Sequence, residues 1–132
     1  MTPPALDLWE RWAPVPDFPN YMVSDYGRVW SRPRHRTKGG ILKPGAVTRA
    51  NSRWPTDPYL QVGLRHEGGK RKYWYVHRLV LTVFVRAANP GEEGHHRDND
   101  TTNNRLGNLE WTTHAENIAA KYQHTEIEGV PF

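Results

Sequence analysis

The chain has 132 residues, enough for one domain, or one domain with an extension, around a modest core. Only 36% of it is hydrophobic, 11 Gly and 11 Pro imply many turns, and the absence of cysteine excludes a disulfide framework and any Cys-based zinc site. The formal net charge is +4, and no apolar run is long enough to span a membrane or serve as a secretory signal, so no membrane role and a cytoplasmic location are expected.

Residues 1–20 are Pro-rich and carry Trp9, Trp12 and Phe18; they read as an irregular arm whose aromatics pack onto the body. Tyr21-Met22-Val23-Ser24 and Arg28-Val29-Trp30-Ser31 read as strands joined by the turn Asp25-Tyr26-Gly27, where Gly supplies a positive φ. Residues 28–53 hold eight basic and no acidic side chains, while the rest of the chain has ten basic and fourteen acidic. All of the positive excess thus lies in one segment, as a phosphate-binding surface requires, although a solvated basic loop would look the same. Between Thr37 and Pro58 we expect a loop with a short strand at Ile41-Leu42-Lys43.

Tyr59 to Leu64 alternates as a strand, Glu67-Gly68-Gly69-Lys70 turns, and Arg71 to Val76 returns. Lys70, Arg71 and Lys72 are placed to meet a phosphate backbone. Tyr73 and Trp74 are expected to pack in the core rather than stack on bases. Leu79, Val80, Val83 and Phe84 mark one face of a helix over His77–Val85, with His77 as a structural histidine. Asn89 to Gly94 turns the chain again.

The most informative stretch follows. His95-His96 can end a short strand. Asn108-Leu109-Glu110-Trp111 reads as a second strand with Leu109 and Trp111 on one face. Thr113 and Glu116 form a capping box, and the helix it starts carries Asn117 and runs through Tyr122. The unit is strand, loop, strand, helix. Taken singly, these residues have plain readings as surface histidines, turn asparagines and a helix cap.

In register, however, His96, Asp98, Asn103, Asn104, Leu106, Asn108, Leu109, Trp111, Thr113, Glu116 and Asn117 resemble the HNH nucleases, above all their homing-type branch. Trp12 to Ser31 resembles the small N-terminal module found on many of them. The likeness implies an α+β fold: small antiparallel sheets or hairpins, then a ββα-metal (His-Me finger) core. It implies an N-terminal arm and basic module over 1–58 and a nuclease core over 59–122, while the tail over 123–132, with Glu126, Glu128, Gly129 and Pro131, reads as mobile. His96 would be the general base, and Asn108 would brace the loop and the base. His95 and Asn117 would be metal ligands, His95 standing where the homing branch usually has Asp or Asn. Asp98 would orient a histidine or the loop backbone. Arg28, Arg32, Arg34, Lys43, Lys70, Arg71, Lys72, Arg97 and Arg105 would contact DNA. His114 would be an extra ligand, a phosphate contact or a plain helix residue.

The implied function is metal-dependent hydrolysis of double-stranded DNA, with Mg2+ or Mn2+, or alternatively Zn2+, Ni2+ or Co2+. A monomer suits nicking and a homodimer suits paired cuts, in the cytoplasm of a bacterial host of a phage or mobile element. A catalytically inactive DNA-binding module is the competing reading. A structural metal protein is a third, which an Asn ligand argues against.

Overall fold

The computed structural model describes residues 9–47 and 58–116. The alternating apolar residues of the first segment build an antiparallel sheet with the order β1 (Trp12–Val15), β2 (Phe18–Ser24), β3 (Val29–Ser31) and β4 (Gly40–Ile41). Phe18, Tyr21 and Val23 of β2 and Val29 and Trp30 of β3 are buried. The expected hairpin over 21–31 is present, and Gly27 in its turn has a φ of +85°.

Residues 1–8 of the expected arm lie outside the described residues; the part from Trp12 is not irregular, since it supplies β1 and the start of β2. Pro14 is accommodated because β1 is an edge strand with a bulge after Pro14, where a missing N–H costs nothing. Trp9 does not pack inward and is 81% exposed, whereas Phe18 is buried against the ring of His66. The short strand expected at 41–43 lies one residue earlier, at Gly40–Ile41.

The second sheet joins β5 (Gly45–Val47), β6 (Tyr59–Arg65) and β7 (Arg71–Tyr75), with Val62 and Leu64 pointing into the core. Tyr73 departs from expectation: at 60% exposure it faces solvent, while its neighbour Trp74 is half-buried with the Lys72 ammonium 4.5 Å above its ring. Strand alternation sends the two aromatics to opposite faces, so they cannot share one role.

The helix α1 (Val76–Phe84) follows β7 directly and buries Val76, His77, Leu79, Val80 and Leu81. It lies against strands of all three sheets, and Leu79, Val80 and Leu81 are the centre of the core. The third sheet is the hairpin of β8 (Glu92–His96) and β9 (Leu109–Thr113). β8 begins earlier than the sequence suggested, because Glu92-Glu93-Gly94 are already paired. Residues 114–116 open a helix. Its capping box is formed: the Thr113 N–H donates to Glu116 at 3.1 Å and the Glu116 N–H donates to the Thr113 hydroxyl at 3.2 Å. The architecture is α+β, as expected. Asn117, the helix through Tyr122 and the tail from Gln123 lie outside the described residues, as do Arg49 and Arg53.

Candidate active site

His95 and His96 are consecutive in the β8–β9 ladder, opposite Glu110 and Leu109. Alternation therefore gives the two rings different surroundings. Both residues are buried, His95 at 6% and His96 at 4% exposure. His96 lies among aromatic rings, 4.8 Å from His77 and 6.0 Å from Tyr59. His77 packs over the backbone of Gly94, in a structural position. His95 shares its face of the hairpin with Glu93, Glu110 and Thr112. The Thr112 hydroxyl is buried there without a hydrogen-bond partner.

Burial lowers the pKa of His96 below its ordinary value; the bond to Asn104 and the charge of Asp98 oppose this more weakly. The imidazole is thus held neutral, with a lone pair available. Its Nε2–H donates to Asn104 Oδ1 at 2.7 Å. Sequence reasoning placed Asn104 in the motif but gave it no role, because paired asparagines in a loop look like turn chemistry.

The loop between β8 and β9 is fixed by side chains. Asn108 Nδ2 donates to Asp98 Oδ1 and to the Asn103 carbonyl, both at 2.9 Å, and the Asp98 N–H donates to Asn108 Oδ1 at 3.1 Å. Asn103 Nδ2 donates to Asp98 Oδ2 at 2.8 Å. These bonds hold the Asp98 carboxyl below the usual carboxylate range, that from Asn103 contributing most. Asn108 spans the loop, and Asp98 serves the loop rather than a histidine. The Asn99 N–H donates to the His96 carbonyl at 3.0 Å, which ties the loop to the base. The Thr101 hydroxyl anchors the far side to the Pro58 carbonyl at 2.6 Å.

The basic candidates divide by their partners. Arg28 donates through Nε and Nη2 to both oxygens of Glu10, each at 2.7 Å, and the Glu10 side chain is fully buried. Its charge is neutralised inside the module, so it is primarily a structural residue. Arg32 donates to Asn20, and Arg34 to Ser31 and to the Tyr21 hydroxyl. Arg97 pairs with Glu110 at 3.4 Å, and Arg105 lies 4.1 Å above the Tyr26 ring. Lys43, Lys70, Arg71 and Lys72 are exposed. His114 Nδ1 meets Glu93 at 2.8 Å, and its side chain is 71% exposed.

Among the described residues, no three His, Asp or Glu side chains converge as a closed metal site. An open site is compatible with this, since it needs few protein ligands and leaves positions for water and substrate. His95 fits as one such ligand: it is buried, on the hairpin face that also carries the unpartnered Thr112 hydroxyl. The second expected ligand, Asn117, lies outside the described residues.

A family model, the NUMOD4 motif, matches residues 10–65. The uncharacterized HNH endonuclease L247 of Acanthamoeba polyphaga mimivirus is 35% identical over 97 residues, which is 72% of this chain and 21% of that protein. The DNA endonuclease I-HmuI of Bacillus phage SP01 is 33% identical over 99 residues, 75% of this chain and 49% of that one. A solved structure described as DNA binding and cleavage by the HNH homing endonuclease I-HmuI superimposes with a TM-score of 0.69 at 30% identity. That match covers 87% of this chain and 59% of the other. The chain thus spans less than half the length of these two curated relatives.

Proposed function

The chain belongs to the HNH endonuclease family, with a NUMOD4 motif ahead of the HNH unit, and from that premise we propose that it is a metal-dependent endonuclease of the homing type acting on double-stranded DNA. The observation that carries this reading is the buried, neutral His96 on a hairpin strand beside His95, with the connecting loop locked by Asn108.

With its proton on Nε2, His96 presents Nδ1 as the general base. Nδ1 takes a proton from water, the oxygen attacks phosphorus in line, and the bond to the 3′ oxygen breaks. The leaving 3′ oxygen takes a proton from solvent, so the products carry a 5′-phosphate and a 3′-hydroxyl. His95, with Asn117, would hold one divalent ion, Mg2+ or Mn2+ by its oxygen ligands, with Zn2+, Ni2+ or Co2+ suited to the imidazole. When bound, that ion supplies charge neutralisation at the scissile phosphate. Asn108 keeps the loop, and through it the base, in place. Arg32, Arg34, Lys43, Lys70, Arg71, Lys72, Arg97 and Arg105 supply the phosphate contacts. One active site per chain makes nicking the natural outcome for a monomer, and paired cuts need a homodimer. Among the described residues no helix is long and apolar enough to cross a membrane, and a phage relative fits action in the cytoplasm of a host cell.

The test is cleavage of supercoiled plasmid carrying a target site, with Mg2+, Mn2+ or EDTA, beside His96→Ala. Metal-dependent conversion to open circle, absent in the variant, is the expected result. No cleavage with any metal, but a salt-sensitive gel shift unaffected by His96→Ala, would identify an inactive DNA-binding module instead.

A further inference from the structure

Asn104 stands at a junction. Its side chain is buried at 4% exposure and holds the catalytic imidazole, while its other side meets the N-terminal module. A Cβ added at Gly27 would sit 2.7 Å from both the Cβ and the carbonyl oxygen of Asn104. Two further contacts run in step with this one. Arg105 lies 4.1 Å over the Tyr26 ring, and the Leu106 N–H donates to the Asp25 carbonyl at 2.8 Å. Three successive residues of the catalytic loop thus meet three successive residues of the β2–β3 turn, in antiparallel order.

That turn is strongly braced. The Ser24 hydroxyl accepts from the N–H groups of Tyr26 and Arg28, and Asp25 accepts from the N–H and Nε of Arg11. Gly27 N–H donates to the Ser24 carbonyl at 3.0 Å. This braced turn packs against the Cβ and backbone of Asn104 and so fixes the point from which its amide reaches His96.

We propose that Asn104 is a positioning residue that sets the tautomer of His96, and that the Asp25-Tyr26-Gly27 turn seats Asn104, so the N-terminal module orients the base as well as meeting DNA. An amide oxygen only accepts, so it selects the tautomer with the proton on Nε2 and the lone pair on Nδ1. The proposal rests on the reading of His96 as the base.

The test uses the full chain, metal-free, at a pH above the histidine range, with nitrogen-15 NMR reading the His96 tautomer. The wild type should show protonated Nε2. Asn104→Leu should lose that preference and lower kcat by roughly ten- to a hundredfold, the usual range for groups that orient a ligand or base. Its Kd for DNA and the salt dependence of binding should stay at wild-type values, and Asn104→Asp, which keeps an acceptor, should restore the tautomer. Gly27→Ala should reproduce the effects of Asn104→Leu by displacing Asn104. If Gly27→Ala no longer melts cooperatively, Gly27→Asn replaces it, since Asn tolerates a left-handed backbone while still carrying a Cβ. An unchanged tautomer and kcat in Asn104→Leu would overturn the positioning role. The same result in a folded Gly27 variant would overturn the part given to the module. Cleavage surviving in His96→Ala would instead sink the base assignment, and the tautomer would still report on Asn104.

Discussion

Removing the Arg28 guanidinium should destabilise the fold without weakening DNA binding by the folded protein. Glu10 is fully buried and both its oxygens are held at 2.7 Å, while Arg28 keeps 37% of its side chain exposed. Deleting one partner of a buried pair costs about 3–5 kcal/mol, because an uncompensated charge remains. Water reaching the exposed end of Arg28 puts Arg28→Met at the lower bound, about 3 kcal/mol. In a chain of this size that lowers Tm by roughly 10 °C. Glu10→Gln should cost less, about 1 kcal/mol, since a neutral amide tolerates burial better. The double variant should recover at least about 1 kcal/mol relative to Arg28→Met, the signature of direct coupling. Thermal and urea melts of the four proteins give the cycle. DNA titrations of folded Arg28→Met should keep the wild-type salt slope, which would fall by about one if Arg28 touched a phosphate. A Tm within about 2 °C of wild type, or no coupling in the cycle, would refute the reasoning.

For His96 the folded pKa lies below the ordinary 6.5, so the active neutral base survives to lower pH and is lost as pH falls through the shifted value. The acid limb of kcat/KM, which reports the free enzyme, should therefore lie below 6.5, and a midpoint above it would contradict the burial argument. Glu92 is held down to about 2 by its bond to Arg86, against an ordinary 4.5. The unfolded chain takes up that proton first on acidification, so Glu92 stabilises the fold above 4.5 and that contribution is lost between 4.5 and about 2. Urea melts across this window should show the loss, and Glu92→Gln should remove its part of the slope. Gly94→Ala would place a Cβ in overlap with the His77 ring, 2.8 Å from Nε2. It should destabilise by about 1–3 kcal/mol, as overpacking does, and slow cleavage by pushing His77 toward His96; a wild-type melt and rate would show that the ring has room to move.

Periodicity made the hairpins at Tyr21–Ser31 and Tyr59–Tyr75 legible, along with the helix at Val76–Phe84 and the capping box at Thr113. Each of these is decided by neighbours in sequence. What escaped was decided at a distance. Pro14 hid an edge strand, because only the sheet order reveals which strand lacks a partner on one side. Strand alternation could have separated Tyr73 from Trp74, but not said which of the two faced water. Arg28 looked like its basic neighbours until Glu10, eighteen positions earlier, was found beneath it. Asn104 was visible as a motif letter, while its bond to His96 and its seat on Gly27 come only from tertiary contact.

The three sheets share no hydrogen-bonded ladder among the described residues; all three pack against the nine-residue α1, with only local links between them such as the Leu106 N–H to the Asp25 carbonyl. A continuous sheet spreads its cooperativity through backbone pairing, whereas here most of that task falls to the side chains of one helix. Amide hydrogen exchange should therefore sort the molecule into separately opening units. The ends of each ladder should exchange by local fluctuation, each sheet with its own protection. The α1 amides, beneath Leu79, Val80 and Leu81, should exchange only when the whole chain unfolds, making the shortest route from native to denatured the loss of a single helix.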